Sequence, residues 1–212
     1  METRAQFAPE QSLSGEFQRQ EDAFRDWVSA DSSTAYPAIA DRYHLYVSLA
    51  CPWASRTVIV RHLQGLENVV GMTVVDPVRD ERGWAFREGP GYGRDPVNGF
   101  EFLAQAYYAT DPDFDGRVTV PVLWDKETRR IVNNSEDDIC RMFDGAFRGL
   151  ATRDAQLFPP ELAKEQAELS DFIYRTVNNG VYRAGFATRQ PAYERAAQKL
   201  FAALDELETR LT

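Results

Sequence analysis

Between Tyr43 and Val75 the sequence runs through one complete β-α-β pattern, and this narrows the architecture more than any other stretch. Tyr43-His44-Leu45-Tyr46-Val47-Ser48 alternates as a short strand. Ala54 to Leu63 carries an apolar stripe at helical spacing, and Val69 to Val75 is a second strand rich in β-branched residues. Two strands joined through a helix run parallel in one sheet, since an antiparallel return needs only a tight turn. Gly65 ends the helix and Asp76-Pro77 closes the unit.

At the break between the first strand and the helix stands Cys51-Pro52. Proline at the first helical position loses no needed N–H, so Pro52 marks a helix start and Cys51 falls at the N-cap. Unpaired N–H groups and the positive end of the helix dipole favour a thiolate there, which makes Cys51 a candidate nucleophile with a lowered pKa. The other cysteine, Cys140, lies one turn into a later helix beside Ile139 and Met142, as a core residue would. Two cysteines make no disulfide framework, and no Cys/His spacing suits a metal. Redox chemistry at Cys51 therefore needs a thiol from outside the chain. His44 and His62 have no nucleophile or carboxylate at a recognisable spacing and read as structural or surface residues.

Residues 1–13 read as a loose arm, and Glu16 to Val28 as a short helix pinned to the body through Phe17, Phe24, Trp27 and Val28. From Val78 to Gly116 glycines, prolines and scattered aromatics break every period, with a helical turn or two at Phe102–Tyr108; a loop this long is more often functional than idle. Val118 to Asp125 is a strand in which Pro121 marks a start, an edge or a cis bond, and Ile131 to Asn134 returns antiparallel. Asn134 or Ser135 caps the next helix, whose first-turn acids Glu136, Asp137 and Asp138 suit its dipole better than they suit a metal. The order β-α-β, insertion, β-β-α is the thioredoxin arrangement.

After a connector at Ala151–Pro160, Glu161–Val177 and Pro191–Leu211 read as helices joined by Asn178-Asn179-Gly180 and an aromatic turn, Val181 to Phe186. Leu200, Leu204, Leu207 and Leu211 form one stripe with nothing to cover it, so the helical part is expected to be incomplete or buried in a partner. The expected division is an arm and helix at 1–37, a thioredoxin-like domain at 38–148, and a partial helical domain at 149–212.

With 43% hydrophobic and 12% aromatic residues, the 212-residue chain can bury a substantial core. Its 33 acidic against 24 basic residues leave a net charge of −9, which argues against nucleic acid or an anionic membrane as partner. No apolar run approaches the ~18 residues of a membrane span, and no signal peptide is evident, so the expected compartment is the cytoplasm.

Four boxes in order carry a resemblance: Cys51-Pro52-Trp53-Ala54, Gly83-Trp84-Ala85-Phe86, Val118 to Asp125, and Asn178 to Ala187. On them the chain resembles the glutathione transferase superfamily and, within it, the xi class of glutathionyl-hydroquinone reductases. The resemblance implies an α/β thioredoxin-like N-terminal domain with a mixed sheet, an all-α transferase-like C-terminal domain, and a homodimer. It implies glutathione as cosubstrate, no metal, and small glutathione conjugates as substrates. By position Cys51 resembles the nucleophile, Trp84 a wall of the glutathione site, and Val120 the residue whose backbone pairs with the glutathione cysteinyl unit before cis-Pro121. Tyr182 resembles an aromatic hydroxyl of the hydroquinone pocket.

Two departures stand out. The family places Glu then Ser where this chain has Ser135 then Glu136, at the γ-glutamyl end of glutathione, which leaves another low-molecular-weight thiol open. Family members are also longer, so the chain resembles a truncated form. Alternative readings are an omega-like thiol transferase or deglutathionylase on the same cysteine, and a non-catalytic interaction module.

Overall fold

A computed structural model describes residues 10–211, so residues 1–9 of the arm expected at residues 1–13 lie outside the described residues. Among the described residues two compact units are present, one of Asp22–Phe158 and one joining residues 10–21 with residues 159–211.

In the larger unit, β1 (Val28–Ser29) and β2 (Tyr36–Pro37) form a short parallel pair. There follow β3 (Tyr43–Val47), α1 (Pro52–Leu63), β4 (Gly71–Val74), α2 (Ala104–Thr110), β5 (Val122–Asp125), β6 (Arg130–Asn133) and α3 (Glu136–Asp144). The sheet has the order β4-β3-β5-β6, with β3 parallel to β4 and antiparallel to β5, and β5 antiparallel to β6. This is the thioredoxin-like mixed sheet. Pairing in β5 starts at Val122 rather than at Val118, because Pro121 has no N–H to donate to a ladder.

Side chains alternate across β3, so Tyr43 and Leu45 face one way and His44 and Tyr46 the other. On the first face α1 packs against α3, and the Tyr43 ring meets Phe147 edge-on at 5.5 Å, with Phe143 of α3 5.7 Å from Phe147. The second face is covered by the long insertion. Phe86 lies 5.1 Å from Tyr46, and Phe100 lies 5.7 Å from Trp124, the strand partner of His44.

The buried carboxylate of Asp95 organises this cover. It accepts hydrogen bonds from the Tyr46 hydroxyl at 2.9 Å and from the N–H groups of Val97, Asn98 and Phe100 at 3.0, 3.1 and 3.2 Å. Main-chain bonds fasten the rest, including Gly93 N–H to Val74 at 3.1 Å and Asp76 N–H to Ala85 at 2.9 Å. The insertion is therefore a packed layer.

His44 is buried, bonded to Thr73 Oγ1 at 2.8 Å, and pushed down to about 4 by burial, which keeps it neutral near pH 7. Gly71 leaves room for that ring, since a Cβ there would lie 2.5 Å from Nδ1.

The expected helix at Glu16–Val28 does not form. Phe17 bridges to Gln11, and in the larger unit Asp26 N–H donates to Val132 at 3.0 Å while Phe24 accepts from Asn134 N–H at 3.1 Å. Phe24, Trp27 and Val28 have helical spacing, but an extended segment beside β6 satisfies its backbone through the sheet and buries Val28 while leaving Trp27 39% exposed.

In the smaller unit α4 (Ala163–Ile173) continues through a π-helical stretch, Tyr174–Asn178, into α5 (Asn179–Gly185), followed by α6 (Gln190–Leu211). Asn178-Asn179-Gly180 is thus helical, not the expected turn. Asn179 is buried, donating to Tyr174 O at 3.1 Å and accepting from Arg19, and Gly180 faces α6, where an added Cβ would stand 3.4 Å from Leu200. Packing of α5 on α6 outweighs the turn propensity of Asn-Gly. On α6 Leu204 and Leu211 are 39% and 84% exposed while Leu200 and Leu207 are half-buried, so the leucine stripe is covered only in part within this unit.

Candidate active site

Cys51 occupies the N-cap of α1 with an extended backbone, φ −100° and ψ 114°, immediately before Pro52. Its N–H donates to Ser48 O at 3.1 Å, and its carbonyl accepts from Ser55 N–H at 3.1 Å and Ser55 Oγ at 3.2 Å. This clamps the junction between β3 and α1, and the half-buried sulfur turns toward the chain entering β5. There the thiol faces Val120 O at 3.7 Å, and the Val120–Pro121 peptide is cis. Cys140 contrasts with it. Buried on α3, its thiol is pushed up to about 12 by burial, which holds it in the unreactive protonated form.

Ser135 is the N-cap residue of α3, with its carbonyl accepting from Ile139 N–H at 3.1 Å, yet its hydroxyl makes no capping bond. Its own N–H donates to Asn133 Oδ1 at 2.7 Å. The Ser135 side chain, nearly buried at the start of a helix, is therefore not explained by capping.

Glu136 is tied back to the cysteine's helix. Arg56 of α1 donates to Glu136 Oε1 at 3.0 Å and to Asp137 Oδ1 at 3.2 Å, and Arg141 donates to Asp137 Oδ2 at 2.7 Å. Sequence reasoning passed over Arg56. The signal available was a basic residue inside the first turns of a helix starting at Cys51, in a chain whose later helix opens with three acids.

Burial pushes the Glu136 carboxyl up to about 7, against the pull of Arg56. An acid with a raised pKa stabilises the fold fully below its unfolded value and loses that contribution as pH rises through its folded value. Glu136→Gln is accordingly expected to match the wild type near pH 4.5 and to be the more stable protein above pH 7, by on the order of 1–3 kcal/mol. Melting temperatures of both proteins across that range check this, and a constant difference would refute it.

Trp84 is half-buried in the insertion, where its carbonyl accepts from Leu103 N–H at 2.9 Å and the Arg79 guanidinium lies 5.6 Å from its ring. Tyr182 belongs to the smaller unit. On α5 its ring packs with Phe17 at 5.9 Å and Phe186 at 5.5 Å, beneath the Arg19 guanidinium at 4.3 Å. Direct contact thus joins Cys51 to Val120, and Arg56 joins α1 to Glu136. Among the described residues no group of three or more His, Cys, Asp or Glu could hold a metal ion, and no helix is long and apolar enough to cross a membrane.

Residues 50–146 match the glutathione S-transferase N-terminal domain family. The chain is 49% identical over 204 residues to glutathionyl-hydroquinone reductase YqjG of Escherichia coli K12, covering 93% of this chain and 62% of that protein. The glutathione-bound structure of YqjG superposes with a TM-score of 0.83 over 88% of this chain and 63% of that one, at 49% identity. The glutathione S-transferase Xi of Phanerochaete chrysosporium gives a TM-score of 0.87 at 46% identity, over 91% of this chain and 66% of that one. The chain thus spans less than two thirds of the length of these relatives. With a thioredoxin-like sheet, a cis-proline loop facing Cys51 and these likenesses, the chain belongs to the glutathione transferase superfamily and, within it, to the xi class.

Proposed function

We propose that the protein is a cytoplasmic glutathione-dependent thiol transferase that reduces glutathionyl-hydroquinones to hydroquinones. The observation that carries this reading is the Cys51 sulfur at the first turn of α1, 3.7 Å from the carbonyl that precedes cis-Pro121. A glutathione laid along Val120 would have its sulfur beside that of Cys51, and the start of α1 favours the thiolate needed for attack.

The Cys51 thiolate attacks the thioether sulfur of the conjugate. A sulfur–sulfur bond forms, the carbon–sulfur bond breaks, and the aromatic carbon takes up a proton to leave as free hydroquinone. A second glutathione, as thiolate, then attacks the Cys51–glutathione mixed disulfide, releasing oxidised glutathione and the Cys51 thiolate. The conjugate is reduced by two electrons, supplied as two glutathione sulfurs join in a disulfide, so one protein thiol suffices.

In this reading Trp84 walls the glutathione site, Val120 and Pro121 hold its cysteinyl unit, and Ser135 and Glu136 stand at its γ-glutamyl end. The Ser135 hydroxyl has no capping bond to give up. Tyr182 contributes a hydroxyl to hydroquinone recognition, and the working form is a homodimer. A reducing compartment suits a reaction that consumes a thiol.

Incubation with a glutathionyl-hydroquinone and excess glutathione is expected to release hydroquinone and oxidised glutathione in equal amounts. With conjugate alone, intact-mass measurement is expected to find one glutathione per chain on Cys51, removable by dithiothreitol. Absence of both hydroquinone and adduct would overturn the proposal, and sedimentation of the chain tests the dimer.

A further inference from the structure

We propose that Tyr107, on the helix inside the long insertion, is a positioning residue that aligns the two loops of the thiol-binding site through its single phenol oxygen. The inference rests on the glutathione-binding half of the reading above and adds a residue that neither the cysteine box nor the proline loop contains.

The Tyr107 hydroxyl donates to Thr119 O at 3.0 Å and accepts from Thr119 N–H at 3.1 Å, so it clamps both main-chain groups of one residue. Thr119 directly precedes Val120, whose carbonyl faces the Cys51 thiol. The same oxygen lies 3.4 Å from Asn134 Nδ2, which also donates to Thr119 Oγ1 at 3.2 Å. Asn134 directly precedes Ser135, the N-cap of α3, and its carbonyl side-chain oxygen accepts from Phe24 N–H at 2.9 Å. One phenol therefore connects the chain entering the cis-proline loop to the chain entering α3.

The surroundings make this connection rigid. Tyr107 is fully buried, with Phe114 and Phe24 at 4.9 and 5.6 Å from its ring, and α2 is fastened to β6 by the bond from Ile131 N–H to Thr110 Oγ1 at 2.8 Å. Burial pushes the phenol up to about 12, so the hydroxyl keeps its proton and goes on donating to Thr119 O throughout the working pH range. A ligand held between Val120 and the start of α3 needs those two backbones at a fixed separation, and errors of a fraction of an ångström in such a frame weaken binding.

Glutathione binding measured by calorimetry on the whole chain tests the proposal. Tyr107→Phe is expected to raise the glutathione Kd, and the KM for glutathione, about tenfold, with kcat at saturation within about twofold. The rate at which iodoacetamide alkylates Cys51 is expected to stay unchanged. A merely structural role would lower the melting temperature and the active fraction and leave the Kd of the folded protein alone; a Kd within twofold of wild type overturns the proposal. Should Tyr107→Phe not fold, Asn134→Ala, which keeps the Tyr107 bonds to the Thr119 main chain and cuts the arm to α3 together with the side-chain bonds to Thr119 Oγ1 and Phe24 N–H, is expected to raise the Kd about threefold, and an unchanged value again overturns it. Wild type that binds glutathione but reduces no hydroquinone conjugate would remove the proposed reaction and leave this inference standing. Wild type that binds no glutathione would remove both.

Discussion

Cys51→Ser is expected to lower hydroquinone release by at least about 10³-fold at saturating glutathione. The reason is the bond that has to form. The proposed intermediate is a sulfur–sulfur bond to glutathione, and a serine oxygen at the same place is a protonated alcohol that forms no such bond. The effect is expected in kcat, because the contacts assigned to glutathione come from Val120, Trp84 and the start of α3 and survive the exchange of one atom.

The fold is expected to tolerate the change. Cys51 is half-buried, its side chain makes no capping bond, and its N–H and carbonyl hold Ser48 and Ser55 whatever the side chain, so stability should move by no more than about 0.5 kcal/mol. Thiol titration supplies an internal control. Under native conditions the wild type should react at one cysteine and Cys51→Ser at none, because Cys140 is fully buried. Residual turnover above a hundredth of wild type in a well-folded variant would exclude Cys51 as the nucleophile.

The parts of the fold that were legible in the sequence are those set by local chemistry. A strand, a proline one residue after a cysteine and an apolar helical stripe sufficed to put Cys51 at a helix N-cap, where it lies. Pro121 announced either an edge or a cis bond, and it stands after a cis peptide just before β5.

The parts that were not legible depend on partners far along the chain. Phe24, Trp27 and Val28 fit a helix by spacing, but the extended segment wins through main-chain bonds to Val132 and Asn134, more than a hundred residues away. Asn178-Asn179-Gly180 has turn chemistry and is drawn into helix by α6 and Arg19. Ser135 looked like an ordinary cap, and only the structure leaves its hydroxyl without a capping bond. Arg56 and Tyr107 carry no motif at all; their meaning comes from the acids of α3 and the backbone of Thr119.

The insertion gives the second large prediction. Asp95→Ala is expected to destabilise the larger unit by about 3–5 kcal/mol, since it strands the Tyr46 hydroxyl and three N–H donors in a buried site and leaves a void. Asp95→Asn retains one acceptor oxygen and turns an amide N–H₂ toward donors, so about 1–3 kcal/mol is expected. Urea unfolding monitored by far-UV circular dichroism measures both, and a loss below 1 kcal/mol for Asp95→Ala would show that the carboxylate does not organise the insertion. The same hub sets the order of loss. The bonds from Asp95 hold Val97, Asn98 and Phe100, Phe86 pairs with Glu101 next to them, and Leu103 N–H then holds Trp84. In Asp95→Ala, protease cleavage within residues 78–100 is therefore expected to rise before global unfolding, and glutathione affinity to fall with it, while Cys51, held by Ser48 and Ser55, alkylates at its former rate. Cleavage that appears only together with global unfolding would mean that the insertion and the sheet melt as one cooperative body.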